Sequence, residues 1–486
     1  MDFKLPETGW TPSLLFFGFV VCFGAAIPAG MQVISFCIAL HFFVQHIQTW
    51  CREVISIRYG SILSQDEMEL FWASVVTATV MMGMVGCLSG GQISSKLGRK
   101  KSFLISGTLL AISAPCFLSC RALSSIELLF IGRIVAGLAL GLILSVMPMY
   151  LAEVSPLKMR GAMGVLLPLG ITAGVVVGQI VTLDQLLGSA DLWHYGLGCG
   201  VLFYLFCFVP YIWLPESPEY LYTISKNPEA ALKVIDKLFG QNAIDDAFVK
   251  QIRIPVPITK QSTSISLWTV LMDSKLRLPL VLLFSMNMGC GLSGINAIFS
   301  YSVSTLERIG IRSNDAKLVS VGFGCINLAA SSCGPFLMAR FNRRPLMLIS
   351  CVACGTTLLI NTVIIHFIDS VDWFAKASIG AIVLFLLSYQ LGVGQIPFFI
   401  GSELFDIEPR ASALALGNFG SWLSNLIIVM LFPIEQHAWG AFAFLPSSAV
   451  CFILGLFVFF YLPETRGRNI SDTALLISKG FKSYVR

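Results

Sequence analysis

Apolar residues in this chain neither alternate nor recur in narrow stripes. They run in blocks of about twenty or more, separated by mostly short polar stretches. A bilayer core about 30 Å thick needs roughly 20 such residues in a helix, and in lipid only helices or closed barrels satisfy the backbone. Read this way, the sequence predicts twelve spans, at about 12–35, 71–93, 102–120, 126–150, 161–183, 194–214, 278–306, 318–340, 345–367, 376–404, 411–434 and 441–462. The expected fold class is therefore an all-α integral membrane protein with twelve transmembrane helices. The first block lacks a basic leading region and a small-residue cleavage site, so it reads as a span and not as a removed signal.

Two polar interruptions are long, at about 36–70 and at Pro215–Arg277. The second divides the spans six and six. It gives a first half at 1–214, a linker at 215–277, a second half at 278–462 and a tail at 463–486. Within the linker, residues 226–252 have amphipathic helical spacing and charged faces, so short helices are expected there. The halves also resemble each other. GRKK at Gly98 answers NRRP at Asn342, EVSPLKMRG at Glu153 answers ELFDIEPRA at Glu403, and PESP at Pro215 answers PETRGR at Pro463. The offsets are 244, 250 and 248 residues, which argues for duplication of a six-helix unit. Two such repeats around a central site form the architecture of an alternating-access carrier.

Composition agrees with this reading. Of 486 residues, 56% are hydrophobic and 12% charged, too little charge to cover a soluble protein of this length. The net charge of +5 is explained by its distribution and carries no sign of nucleic-acid binding. If both termini and the linker share one side, that side holds 24 of the 32 Lys and Arg residues, against seven in the opposite loops. The positive-inside rule then makes the termini and linker cytoplasmic. Thirteen of the fourteen cysteines fall in or beside apolar blocks, where Cys behaves as a small hydrophobe, and the other is Cys51. The one CxxC, CVAC at 351–354, lies inside an apolar block, and there is no His/Cys metal-ligand spacing, no cofactor motif, no HExxH and no P-loop, so neither an enzyme nor a resident metal is expected.

Charge at the span ends carries the next signal. Glu153 and Arg160, and again Glu403 and Arg410, place opposite charges seven residues apart on short inner connections. Such charges can bridge helices and halves when the inner side is shut, or simply anchor helix ends. The stretches GRIVAGLALG (132–141), PMYLAEVSPLKMRG (148–161), PESPEYL (215–221), LSGINAIFSYS (292–302), PRASALALGNFGSWLSN (409–425) and PETRGR (463–468) together resemble the sugar porters of the major facilitator superfamily. Within that group the facilitative hexose transporters are most similar, and the match runs in order through nearly the whole chain. The resemblance implies the twelve-helix major facilitator fold and an inner salt-bridge network. Its members would be Arg99, Glu153, Arg160, Glu216, Arg340, Arg343, Arg344, Glu403, Arg410 and Glu464. Lys96, Glu219, Ala339 and Asn342 depart from the family pattern, which implies a weaker network in the second half.

A sugar presents many hydroxyls and one or two apolar faces, so its site needs amides and an aromatic ring. By resemblance, Gln179, Asn296, Asn327, Gln390, Phe398, Trp422 and Asn425 stand at substrate positions. A span Asn or Gln can equally hydrogen-bond a neighbouring helix. Gly291 and Gly294 are expected to let the seventh span bend, and Tyr301 to close over the solute from outside. Other family groups are missing. Pro168, Cys290 and Gly291 stand where glutamines would be, and Gln390 stands for a glutamate. Three lost amides, at about 1 kcal/mol each, are a large share of the roughly 4 kcal/mol that binds a millimolar solute.

Residues 25–35, AAIPAGMQVIS, contain no carboxylate where proton-driven relatives carry an Asp, which favours uncoupled diffusion. The expected partners are a small-molecule solute, a hexose or a related compound, and the lipid bilayer, in the plasma-membrane setting that the resemblance implies. IQTW (47–50) lacks the Asn of the relatives' NQTW, and the sequon at Asn469 lies on the inner tail, so no N-glycan is expected.

Overall fold

The computed structural model describes residues 10–37, 41–240, 266–299, 312–367, 372–468, 472, 473 and 476. Among them are twelve helical segments long and apolar enough to cross a membrane. Spans 1 to 6 are Pro12–Val33, Gln65–Leu97, Arg99–Cys120, Ile126–Glu153, Leu157–Val181 and Trp193–Trp213. Spans 7 to 12 are Arg277–Phe299, Asp315–Arg340, Arg343–His366, Lys376–Leu404, Ile407–Phe432 and Ile434–Tyr461. The chain is thus a multi-pass integral membrane protein.

The helices run past the apolar blocks because polar residues cap them. Span 2 begins six residues before its apolar run, where the Ser64 hydroxyl accepts from Glu67 N–H and the Glu67 carboxylate accepts from Ser64 N–H. The helix of span 11 continues to Trp439, five residues beyond its apolar block. The polar stretch after span 1 is itself largely helical, His41–Tyr59. Its Ile47 is fully buried in a cluster with Phe43, Cys51 and Trp193, which fastens this helix to span 6.

Within each half, close packing relies on residues without bulk. A Cβ on Gly30 would sit 2.1 Å from the Ile171 carbonyl, and one on Gly174 2.1 Å from that of Ile27, so spans 1 and 5 meet backbone to backbone. Spans 2 and 4 meet in the same way around Gly141. Two large apolar cores result, one mainly in spans 1–6 and one mainly in spans 7–12. They interlock at the seam. Trp422 of span 11 belongs to the first core, Val165 and Val175 of span 5 to the second, and Phe398 packs against both. The main helix pairs across the seam are span 2 with span 11 and span 5 with span 8.

In the linker, short helices occupy Pro218–Thr223, Pro228–Phe239 and Leu267–Met272. The middle helix lies within the expected amphipathic segment, whose remainder beyond residue 240 is outside the described residues. Its end is tied to span 1, where the Thr11 hydroxyl donates to the Leu238 carbonyl at 2.7 Å.

Candidate solute pathway and gates

At the linker face, seven charged side chains gather at the seam. Arg99 grips Glu153 with two bonds of 2.7 and 2.8 Å, both side chains fully buried. Arg410 of span 11 reaches into the first half. Its Nη1 is 3.0 Å from Glu219 and 3.6 Å from Glu153. Arg160 approaches Glu219 at 4.0 Å. Burial pushes the Glu219 carboxyl up, but the adjacent Arg410 and Arg160 outweigh it and hold the group below the ordinary carboxylate range. In the second half, Arg343 pairs with Glu403 at 3.1 Å, and Glu403 also accepts from the Thr465 hydroxyl. Arg343 crosses the seam as well, since a Cβ on Gly161 would sit 2.0 Å from its Nη2.

Four of the ten residues expected in this network do something else. Glu216 accepts from the backbone N–H groups of Arg99 (2.8 Å), Lys100 (3.3 Å) and Ser217 (3.0 Å). Glu464 does the same for Arg343 (3.0 Å), Arg344 (3.2 Å) and Arg466 (3.0 Å). Both carboxylates cap the first turn of a span, spans 3 and 9, where unpaired N–H groups and the helix dipole favour an anion. Burial nonetheless pushes the Glu216 carboxyl upward. Arg340 is exposed, lies 4.4 Å from the Phe336 ring and has its carbonyl taken by Arg466. Arg344 donates to the Phe459 carbonyl at 2.6 Å. Neither has an acidic partner among the described residues. Glu219, absent from the expected set, holds a central place. The signal for it was present in PESPEYL, as a carboxylate where relatives have a base.

The opposite face is also bridged. Lys317, at the start of span 8 and 5% exposed, pairs with Asp184, which follows span 5. Sequence reasoning missed this pair because neither residue belongs to a repeated motif.

Between the two faces lie the expected substrate residues, in separate groups. The Asn296 amide donates to the Asn425 carbonyl oxygen at 2.8 Å, joining spans 7 and 11. Gln390 donates to Asn327 at 2.9 Å, joining spans 10 and 8. Gln179 of span 5 is 1% exposed, and neither its Nε2 nor its Oε1 has a hydrogen-bond partner among the described residues. It points at span 8, where a Cβ on Gly324 would sit 2.2 Å from its Oε1. Trp422 lays its indole on span 2, with a Cβ on Gly83 falling 2.7 Å from the ring. Gln395, at the break in span 10, completes the set.

Span 7 breaks where its polar stretch begins. The helix Arg277–Leu292 ends, Gly294 adopts φ +90°, and a helical turn resumes at Ile295. A positive φ of this size suits glycine. The break falls at Gly294, and Gly291 stays inside the helix Arg277–Leu292. Its missing side chain admits span 11, because a Cβ there would lie 1.9 Å from Ser424 Oγ. Cys290, at another lost-glutamine position, turns into the second core and meets the Tyr389 hydroxyl at 3.2 Å. Tyr301 and Asn469 lie outside the described residues.

The sequence matches the family model "Sugar (and other) transporter" over residues 13–475. The chain belongs to that family. Among curated relatives, facilitated glucose transporter member 3 of Homo sapiens is 34% identical over 404 residues, covering 82% of this chain and 80% of the relative. Member 5 of Equus caballus is 28% identical over 469 residues, 96% and 93% of the two chains. Among solved structures, the proton:xylose symporter XylE bound to 6-bromo-6-deoxy-D-glucose superposes with a TM-score of 0.79 at 20% identity, covering 95% of this chain and 98% of that one. The fold is that of the major facilitator superfamily, and the family is one of transporters, not enzymes.

Proposed function

We propose that this protein is a facilitative, uncoupled transporter of a hexose or a similar small polar solute, working by alternating access between its two six-helix halves. The observation that carries the reading is Arg410, a second-half arginine held by Glu153 and Glu219 of the first half and the linker. Those pairs join surfaces that must part for solute to leave at the linker face. Between the gates the expected solute groups are neutral amides, Asn296, Asn425, Asn327, Gln390 and Gln179. They suit a hydroxylated solute and offer no carboxylate to carry a proton. The excess of Lys and Arg in the linker and inner loops supports a reading in which the linker and both termini are cytoplasmic.

Uptake into proteoliposomes tests this, using radiolabelled hexoses, polyols, urate and dehydroascorbate. Uptake is expected to saturate, to persist with a protonophore, and to fall severalfold in Asn296→Ala. Complete loss on adding the protonophore, with no exchange left, would favour proton symport, the activity named for the XylE neighbour. Tight binding without counterflow would instead point to a solute sensor.

A further inference from the structure

Span 8 presents Gly324, Asn327, Ser331 and Gly334 at spacings of three, four and three, which is one helical face. Over ten residues that face extends about 15 Å towards the linker side, at 1.5 Å per residue. Each position meets an amide. Gly324 faces Gln179, Asn327 accepts from Gln390, the Ser331 carbonyl accepts from Gln395 Nε2 at 3.3 Å, and a Cβ on Gly334 would lie 2.3 Å from Gln395 Oε1. The same point is 2.6 Å from Val165 of span 5, so the Gln395 side chain sits at the seam between the halves.

Gln395 is fully buried, yet no protein group among the described residues donates to its Oε1. Ser331 is equally buried, and its Oγ likewise has no partner there. Buried polar groups are ordinarily satisfied, so two orphans side by side at a moving seam call for an explanation. Gln395 stands in the non-helical turn 392–395 between the two helices of span 10, where backbone strain is not what holds it.

We infer that Gln395 and Ser331 form a second solute subsite on the cytoplasmic side of the central amides, which receives a neutral polyhydroxyl solute on its way to or from the linker face. The inference rests on the transport reading above. An amide oxygen that only accepts and a hydroxyl that can donate or accept match adjacent solute hydroxyls. The route passes from Gln179 and the Asn327–Gln390 pair to this subsite, along one face of span 8.

The test compares Gln395→Leu and Ser331→Ala with the wild-type protein in proteoliposomes of defined orientation, using whichever radiolabelled hexose the wild type carries. Half-saturation measured from the cytoplasmic face is expected to rise about three- to tenfold in Gln395→Leu, the loss of one neutral hydrogen bond, and less in Ser331→Ala. From the external face it should stay within about twofold. In each orientation the quotient of maximal rate and half-saturation remains equal, as reversibility requires of an uncoupled carrier. Gln395→Asn, which keeps an amide, should recover part of the cytoplasmic value. An equal shift at both faces, or none in either variant, overturns the subsite; a Gln395→Leu protein that fails to fold leaves Ser331→Ala to decide in the same way. A wild-type protein that carries no solute overturns the transport reading, and the subsite with it.

Discussion

Arg410 donates to Glu219 at 3.0 Å, although 191 residues separate them. One lies at the start of span 11, the other in the first helix of the linker. On the proposed transport reading the bond makes the linker part of the gate, because the halves cannot separate at this face without Arg410 leaving Glu219, Glu153 or both.

Replacing Glu219 with Arg would remove that carboxylate and set a third guanidinium beside Arg410 and Arg160. Breaking a buried ion pair from one side typically costs about 3–5 kcal/mol. Hydrogen exchange in residues 153–164 and 403–410 is therefore expected to accelerate in Glu219→Arg, and less in Glu219→Gln. Unchanged exchange in Glu219→Arg would remove Glu219 from the gate.

The same carboxylate fixes a pH dependence. A group whose folded pKa is depressed contributes stability that is present above its unfolded pKa, about 4.3, and lost as pH falls through the folded value. The melting temperature of the purified protein should thus be insensitive to this gate between pH 8 and about 5. The Glu219 contribution, read as the difference from Glu219→Gln, should shrink only below roughly pH 4. A difference that collapses between pH 7 and 6 would contradict the assignment.

Glu464 and Arg340 separate capping from ion pairing. Glu464→Ala leaves first-turn N–H groups of span 9 without their acceptor and should lower stability by about 1 kcal/mol. Arg340→Ala removes an exposed side chain stacked on Phe336 and should change gate exchange little. A larger effect on the gate from Arg340 than from Glu464 would restore the salt-bridge role that the family pattern implies.

In span 7 the two glycines should respond differently. Gly294→Ala forces a side chain into φ +90°, a strain of about 1–2 kcal/mol. Gly291→Ala drives a methyl into Ser424, so Ser424→Gly should recover much of the lost thermal stability in the double variant while doing nothing for Gly294→Ala. Equal rescue of both would show that the contact with span 11 is not specific to Gly291.

Much of this was legible in the sequence for a simple reason. Apolar blocks report spans directly, since lipid admits no other backbone, and Gly294 sits in a stretch too polar to stay a plain helix. Caps escaped the reading. Glu216 and Glu464 carry the charge of a salt-bridge residue, and only the tertiary fold decides whether backbone N–H or guanidinium meets it. Asp184 and Lys317 belong to no motif, and their pairing depends on two spans 133 residues apart.

By itself the sequence determined the spans, their number, the duplicated charge motifs and the family, because each is written in local runs of residue type. The tertiary structure decided the partners. It gave Glu153 to Arg99 and Arg410, turned Cys290 into the core, let Gly291 admit Ser424, and left Gln179, Gln395 and Ser331 with atoms unpaired among the described residues at the seam. Those assignments follow from which helix faces meet, and the meeting of faces is settled by packing two six-helix halves against each other.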